Sequence, residues 1–584
     1  MNNCIFRVEK RVHDYFKVFF NYDPDIVSLI KKIPTATFNP SDKSWTVKVS
    51  NETSSGIKEL IHKGSFNCTQ DVLDLLNMYE VKSELLFNMS DAEDTYIDLD
   101  DTNYNGDLYP FQEVGVNYML RSKRCFNADD MGLGKTIQTL VAMEKANAYP
   151  HIIICPKKAA GKWRREAYKW LPHRTSMVLD NNNFYYDYDI LILNFEAVTK
   201  FLIIQKRDPE RSTFKIRENI KMLGVKGVTV DESHNVKNNK SIRTRAIKKL
   251  CKGMEYIWML SGTFVENKPS EIIPQLQIMR RLDDLGGYKF FINRYCDAKK
   301  GFGNSINTSG SSNLIELHNR LKQVCMVRRM KTDVLKELPP KHPSQKIPIE
   351  IDNREIYEMA EKDIFSWIEM NENNKNKDSF DLEFEKPNKR LTQDAIELQI
   401  LNALRVITAE GKINQCIEWI RKFTKRGNKL VVFAHHRKIQ NKLIKSFPGC
   451  AKILGGMKPS DQKKNEDRFK QKDCKIIVCS LLAANVAIDL VSANHSFTVE
   501  YDWKPSTHDQ AEDRLWRIGQ HKDVYPYYAT AVNTIEEDIF ALHESKREMM
   551  KGIMDGKNYE KTKSIKKELV EILKKKQKVN FYYD

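Results

Sequence analysis

Asp130-Met131-Gly132-Leu133-Gly134-Lys135-Thr136 follows the apolar run Cys125 to Ala128 and opens a helical stretch. Glycines at such a junction let backbone N–H groups approach phosphate oxygens, and the helix N-terminus adds positive potential. Lys135 is then placed to reach β- and γ-phosphates, and Thr136 to hold Mg²⁺. The usual eight-residue pattern begins with glycine, where this chain has Asp129. Further on, Val228-Thr229-Val230 reads as a strand with Asp231-Glu232-Ser233-His234 at its C-terminal end. Two adjacent carboxylates there divide the work: Asp231 binds Mg²⁺ through water, and Glu232 orients and deprotonates an attacking water. A third group, Gln510 to Gln520, carries Arg514 and Arg517 three residues apart, a spacing that predicts both on one helical face. Such arginines stabilise charge on a transferring phosphate. The plainer reading is a surface ion-pair set with Glu512 and Asp513.

The elements that must position these groups are legible as a rhythm. From Tyr109, short β-rich apolar runs (Ile152–Cys155, Ile190–Leu193, Val228–Val230, Ile257–Leu260) alternate with helical stretches. The alternation resumes at Lys429–Phe433, Lys475–Cys479 and Ser496–Val499. It predicts an α/β chain with two parallel-sheet lobes, helical insertions and an irregular segment between the lobes. The polar stretch Asn371 to Arg390 breaks the rhythm and reads as a flexible insert. Ahead of the lobes, residues 1–95 read as a small α+β unit. Its strands are Phe16–Phe20 and Ser44–Val49, around a helix Pro24–Lys32 with Ile26, Ile30 and Ile33 in phase. Asp91 to Asp107 is acidic and reads as a linker. The domain expectation is therefore an accessory domain at 1–95, lobe one at 96–345, a linker and insert at 346–400, lobe two at 401–546, and a basic tail at 547–584. In the tail, Ile565, Leu569, Ile572 and Leu573 share one face of an expected packing helix that ends in Lys574-Lys575-Lys576.

Composition bounds the rest. The 584 residues carry 95 Lys+Arg against 78 Asp+Glu, a net charge of +17, which points to a polyanionic partner such as nucleic acid. With 41% hydrophobic and 30% charged residues the chain is globular rather than disordered or fibrous. No apolar run approaches the ~18 residues of a membrane span, and no secretory segment opens the chain, so an intracellular protein is expected. The eleven cysteines form no CxxC pair, against a zinc ribbon or a disulfide framework. Tyr185, Tyr186, Tyr188, Tyr582 and Tyr583 read as packing or surface aromatics, and His435-His436 as strand-end packing or a phosphate contact.

Taken in order, these segments resemble the superfamily-two helicase-type motors, and within them the Swi/Snf family of double-stranded DNA translocases. Leu108-Tyr109-Pro110-Phe111-Gln112 resembles the adenine-reading motif, Asp130 to Thr136 the ATP loop, and Asp231 to His234 motif II. Ile154-Cys155-Pro156 with Lys162-Trp163 resembles motif Ia. Ser261-Gly262-Thr263 resembles motif III, and Arg328-Arg329 with Leu338-Pro339-Pro340-Lys341 the exit from lobe one. Phe433-Ala434-His435-His436 resembles motif IV, and Gln510 to Gln520 motif VI. Phe20-Asn21-Tyr22-Asp23, Ile33-Pro34, Phe38-Asn39-Pro40 and Lys43-Ser44-Trp45 resemble the small accessory domain of HARP-type annealing helicases.

The resemblance implies two RecA-like lobes, ATP with Mg²⁺, and double-stranded or branched DNA as partner, with a monomer working on the DNA. It implies Glu232, Arg514, Arg517 and Gln510 as catalytic, and Gln112, Asp130, Gly132, Gly134, Lys135 and Thr136 around ATP. Thr136 and Asp231 would hold the metal, His234, Ser261 and Thr263 would couple the nucleotide to motion, and Lys158, Lys162, Trp163, His435 and Asn485 would lie on DNA. The expected function is an ATP-dependent duplex translocase that remodels or reanneals forks. The rivals are a strand-separating DNA or RNA helicase and a nucleotide-gated clamp without turnover. Host and setting stay open between a nuclear or nucleoid protein and a viral or phage one. Three positions depart from the family pattern: Phe264 for a proline, Ala487 for a glycine in motif V, and Trp516 for a histidine.

Overall fold

The structure is a computed structural model, which describes residues 5–10, 14–64, 66–95, 97–179, 188–206, 213–216, 224–300, 306–362, 393–481 and 488–556. The expected insert at 371–390, the tail helix at 565–576, Asn485, Ala487, Tyr185, Tyr186, Tyr582 and Tyr583 fall outside them. The chain divides into two compact units. One runs to Lys336 and also takes the end of the last described helix from Glu548; the other holds Glu337–Arg547.

The first unit opens with a five-stranded sheet in the order Thr37–Asn39, Ser44–Lys48, Asp14–Phe19, Ile5–Lys10, Asn67–Cys68. The helix Pro24–Lys32 is where its apolar spacing places it. Asp23 caps it by accepting from the N–H groups of Asp25 and Ile26. Ile26 and Ile30 face Phe16, Val18 and Val47 in a separate small core. The helix Gln70–Ser90 then leaves that core. Leu86 and Met89 enter the core of lobe one, and Ser90 Oγ donates to the Met326 carbonyl at 2.8 Å. Among the described residues of Asp91 to Asp107 there is neither helix nor strand, and Ile97, Leu99 and Tyr104 lie against lobe one.

Lobe one is a seven-stranded parallel sheet. Its order is Met326–Val327, Arg124–Asn127, Tyr256–Leu260, Gly227–Asp231, His151–Cys155, Ile190–Asn194, Ser176–Val178. The second unit holds a six-stranded parallel sheet, ordered Gln345–Ile349, Tyr525–Ala531, His495–Thr498, Leu430–Ala434, Ile476–Ser480, Ala451–Ile453. Both sheets are central layers between helices, so their strands are buried on both faces and read as unbroken apolar runs. His151–Cys155 and Leu430–Ala434 are buried throughout.

His151 is an exception to that apolar pattern and carries a pH dependence. It is fully buried at the head of its strand. Its Nδ1 lies 3.2 Å from the Ala148 carbonyl and its Nε2 2.9 Å from Thr229 Oγ1, and the ring stacks on Trp258. Burial holds its imidazole down to about 3. The unfolded chain, with an ordinary value of about 6.5, binds the extra proton between those two values. Stability is therefore complete above pH ~6.5 and falls as the pH drops through the window. At pH 5 the loss from His151 is about 2 kcal/mol. Urea midpoints measured at pH 7 and pH 5 check this, and His151→Gln should narrow the difference between them.

Candidate active site

The strand Arg124–Asn127 delivers the chain into the phosphate loop, and the helix Lys135–Lys145 receives it. Gly132 and Gly134 have φ of +88° and +81°, conformations that side chains disfavour. A Cβ on Gly134 would meet Gln112 Nε2 at 2.3 Å, so the glycine is also required by a close approach. Gln112 is buried; its amide donates to the Leu133 carbonyl at 3.2 Å and its Oε1 accepts the Tyr109 N–H. The expected adenine-reading residue is thus fixed against the loop itself. Lys135 Nζ donates to the carbonyls of Asp129 (2.6 Å) and Asp130 (3.1 Å). Burial lowers its pKa, while the charges of Asp129, Glu232, Asp130 and Asp231 work against that fall. The phosphate-loop lysine and the two motif II carboxylates therefore share one electrostatic environment.

Asp231 ends the strand Gly227–Asp231, and Glu232 follows in a left-handed conformation, φ 51°. A non-glycine residue held there is strained, and such strain concentrates at functional turns. Burial, then the neighbouring Glu232 charge, pushes the Asp231 carboxyl up to about 6. Opposing this, the Trp163 indole N–H donates to Asp231 Oδ2 at 2.8 Å, and the Glu232 N–H reaches Oδ1 at 3.0 Å. Trp163, expected on DNA, is buried, 2% exposed, and its indole holds a carboxylate. The reason is local, since the helix Ala160–Trp170 turns Ala160, Trp163 and Ala167 to the core and leaves Lys162 half-exposed. Lys158 is exposed, as a phosphate contact would need. Replacing Trp163 with Phe keeps an aromatic side chain but removes the N–H and the second ring of the indole. Loss of a hydrogen bond to a charged group, about 1.5–3 kcal/mol, together with the smaller side chain should lower the melting temperature, and nucleotide turnover measured well below that temperature should fall about tenfold or more. Steady-state hydrolysis beside a thermal melt decides this.

The three residues expected to couple nucleotide to motion also converge. His234 Nδ1 lies 3.3 Å from Ser261 Oγ and 3.4 Å from Glu232 Oε2. Ser261 Oγ in turn accepts the Thr263 N–H at 3.2 Å. Phe264, the departure from proline, is fully buried and stacks on Phe126 at 4.4 Å, bracing the strand that feeds the phosphate loop.

Beneath the loop lies a network that the sequence reading did not find. Asp129, the residue in place of the usual glycine, is fully buried and ion-paired to Arg329, whose Nε donates at 2.9 Å and whose backbone N–H donates at 3.0 Å. Gln138 Nε2 also donates to Asp129 at 3.0 Å, and Asn127 donates to Gln138 at 2.7 Å. Arg328, beside it, reaches the Ala128 carbonyl at 2.6 Å, the Gly262 carbonyl at 3.3 Å, Asp130 at 3.3 Å and Asp555 at 2.6 Å. The adjacent arginines in the sequence were the available signal, but not their partners.

A magnesium ion fits the donor set. Thr136 offers a hydroxyl in the first helical turn, and Asp231 a carboxylate with each oxygen taking one hydrogen bond; these are the hard oxygen donors that Mg²⁺ prefers. Among the described residues no cluster of three or more His, Cys, Asp or Glu forms an all-protein metal cage.

In the second unit, Gln510 is buried in the helix Pro505–Glu512. That helix stops before the arginines, so Arg514 and Arg517 lie in the turns that follow and not on one helical face. The backbone tightens there: Arg514 N–H donates to Ala511 O and Leu515 N–H to Glu512 O, and the Arg514 carbonyl accepts the Leu490 N–H. Glu512 and Asp513 are ion-paired within this unit. Lys341 takes both, at 2.6 and 3.7 Å. Trp516, the departure from histidine, donates its indole N–H to the Pro339 carbonyl at 2.8 Å and so fastens the same Pro339–Lys341 segment. His435 and His436 present their backbone N–H groups to buried Glu500, at 2.8 and 3.0 Å, while burial lowers the His435 pKa.

Residues 111–396 match the model of the SNF2-related domain, and residues 411–519 that of the helicase conserved C-terminal domain. The chain carries an SNF2-related domain followed by a helicase C-terminal domain. Its relatives include the SWI/SNF-related matrix-associated actin-dependent regulator of chromatin subfamily A-like protein 1. The Xenopus laevis protein is 28% identical over 547 residues, 91% of this chain and 53% of that protein. The Drosophila melanogaster one is 29% identical over 546 residues, 91% and 66%. The human DNA annealing helicase and endonuclease ZRANB3 is 26% identical over 499 residues, 82% and 44%. The chain thus spans about half to two thirds of the length of the first two relatives. The Sulfolobus solfataricus SWI2/SNF2 ATPase core in complex with dsDNA aligns with 78% of this chain and 94% of its own, at 24% identity and a TM-score of 0.35. Among the described residues no helix is long and apolar enough to cross a membrane.

Proposed function

We propose that this chain is an ATP-dependent motor on double-stranded DNA that remodels or reanneals branched DNA such as forks. The observation that supports it most is the shared environment of Lys135, Asp231 and Glu232, with Trp163 pinning Asp231. In this reading Lys135 binds the β- and γ-phosphates, and Gln112 reads adenine. Thr136 and Asp231 would hold Mg²⁺, which would neutralise phosphate charge. Glu232 orients a water and takes its proton as the γ-phosphate is attacked. Arg514 and Arg517 stabilise the charge on the transferring group, with Gln510 beside them in sequence. The His234–Ser261–Thr263 chain passes the state of the nucleotide to motif III. Lys158, Lys162, His435 and Asn485 take phosphates of the DNA, a term that carries affinity without sequence preference. A monomer suffices on DNA, and the setting is intracellular. The printed names of the relatives, an annealing helicase among them, support the branched-DNA reading.

Steady-state ATP hydrolysis with duplex, forked and single-stranded DNA and with RNA tests it, with Glu232→Gln as the blank. Stimulation by duplex or fork is expected. Stimulation mainly by single strands or RNA, with strand release from a labelled fork, would replace this reading by an unwinding helicase. No turnover on any substrate would leave a clamp. A truncation that probes the accessory domain should begin at Gln70 instead of residue 96, because Leu86 and Met89 belong to the core of lobe one.

A further inference from the structure

The second unit carries a cavity of about 340 Å³ whose lining has one sign of charge. Four chain segments build it. Gly427–Lys429 and Lys472–Lys475 lead into the strands Leu430–Ala434 and Ile476–Ser480. Val491–Asn494 leads into His495–Thr498, and Gly519–Lys522 precedes Tyr525–Ala531. Because these strands are parallel, the cavity lies at their N-terminal edge, the opposite end from His435, His436 and Glu500. Lys429, Lys472, Lys475, Lys522 and His521 line it, and no carboxylate does. The acids next to it in sequence are already engaged: Asp473 with Arg468 at 2.6 Å, and Asp523 with His342 at 3.0 Å. Lys429 and Lys475 donate to backbone carbonyls, which fixes their ammonium groups, while Lys472 and Lys522 are exposed and have no ion-pair partner among the described residues.

The floor is built. Gln520 is buried, and its amide donates to the carbonyls of Val491, Ala493 and Leu515, while its Oε1 accepts the N–H groups of His521 and Lys522, both at 3.0 Å. One side chain therefore sets two of the four lining segments and ties them to the turn that carries Arg514. The positive potential is felt by a neighbour: burial first, then the Lys522 charge, holds the His495 imidazole below its usual range.

We propose that this cavity binds phosphate groups of a nucleic-acid backbone, as a second contact on lobe two away from the motif IV end of its sheet. Lysines supply point charges to phosphate without demanding a fixed fork geometry, and several of them around an open cavity suit a chain of phosphodiesters. Each phosphate contact contributes about 0.9 to the slope of log affinity on log salt.

The test uses the full chain without nucleotide, so that it stands apart from hydrolysis. Anisotropy of a labelled short duplex is followed from about 50 to about 200 mM salt. Lys472→Ala/Lys522→Ala should lower the slope by about 1.8, so that affinity drops about tenfold less across that range than for the wild type. Lys442→Ala/Lys445→Ala, which removes the same charge from an exposed helix of the same lobe, should change the slope less. An unchanged slope in the first pair, or an equal change in the control pair, overturns the proposal. A calorimetric titration with inorganic triphosphate separates the source of phosphate. Binding that the first pair abolishes, with the DNA slope unchanged, would make this a small-anion site and overturn the nucleic-acid assignment.

Discussion

Lys135→Ala is expected to reduce ATP turnover to the level of the blank, and Glu232→Gln to do so while nucleotide stays bound. The two losses have different causes. The ammonium of Lys135 is held by the Asp129 and Asp130 carbonyls and is surrounded by the Asp231 and Glu232 charges. Removing it takes away the positive charge that offsets both motif II carboxylates, so nucleotide phosphates meet an acidic site, and binding falls with turnover. Glu232→Gln leaves every positive group in place and removes the proton acceptor. General bases contribute about 10²–10⁴ in rate, and electrostatic stabilisers of phosphoryl transfer at least as much. Fluorescent-nucleotide binding beside a phosphate-release assay separates the two. Wild-type hydrolysis by Glu232→Gln would falsify its role as base and move that role to another residue.

The second large effect is on stability. Arg329→Met should destabilise the first unit by about 3–5 kcal/mol, because it leaves the Asp129 carboxylate buried with its main partner gone. Asp129 is 0% exposed and Arg329 2%. The remaining donor from another side chain is Gln138. Asp129→Asn/Arg329→Met, which removes both charges, should recover a large part of the loss, since an apolar or neutral replacement of a whole buried pair is often tolerated. Denaturant unfolding of the two variants and the wild type measures it; equal losses in both would mean that packing, not the unpaired charge, sets the cost.

How much of this was legible depended on how local each signal was. The central strands could be read because a strand covered on both faces shows a continuous apolar run, as Ile152–Cys155 and Leu430–Ala434 do. The phosphate loop could be read because its glycines, Lys135 and Thr136 act within seven residues of each other. The hydrogen bond of Trp163 could not be read because it depends on Asp231, brought beside it only by the parallel pairing of the strands His151–Cys155 and Gly227–Asp231. Asp129 was noticed as an anomaly, but its meaning rested on Arg329, which meets it only when the strand Met326–Val327 docks on Arg124–Asn127. The spacing of Arg514 and Arg517 fits a helix, yet the helix ends at Glu512, where Lys341 draws in the Glu512 and Asp513 carboxylates and the backbone turns. Spacing alone says nothing about where a cap will fall.

The last described helix, Ile535–Asp555, bears on how the protein can be cut for expression. In the second unit its Glu536 neutralises Lys412, a lysine with 0% side-chain exposure, at 2.6 Å. In the first unit its Asp555 holds Arg328, the guanidinium that also grips the carbonyls of Ala128 and Gly262. A fragment ended at residue 519, where the match to the helicase C-terminal domain stops, would discard both carboxylates at once. It would leave an unneutralised ammonium inside one unit and free the arginine that clasps the nucleotide loop in the other. Clones meant to retain activity should therefore run past Asp555, and an insoluble or inactive shorter clone would report on its boundary and not on its catalytic residues.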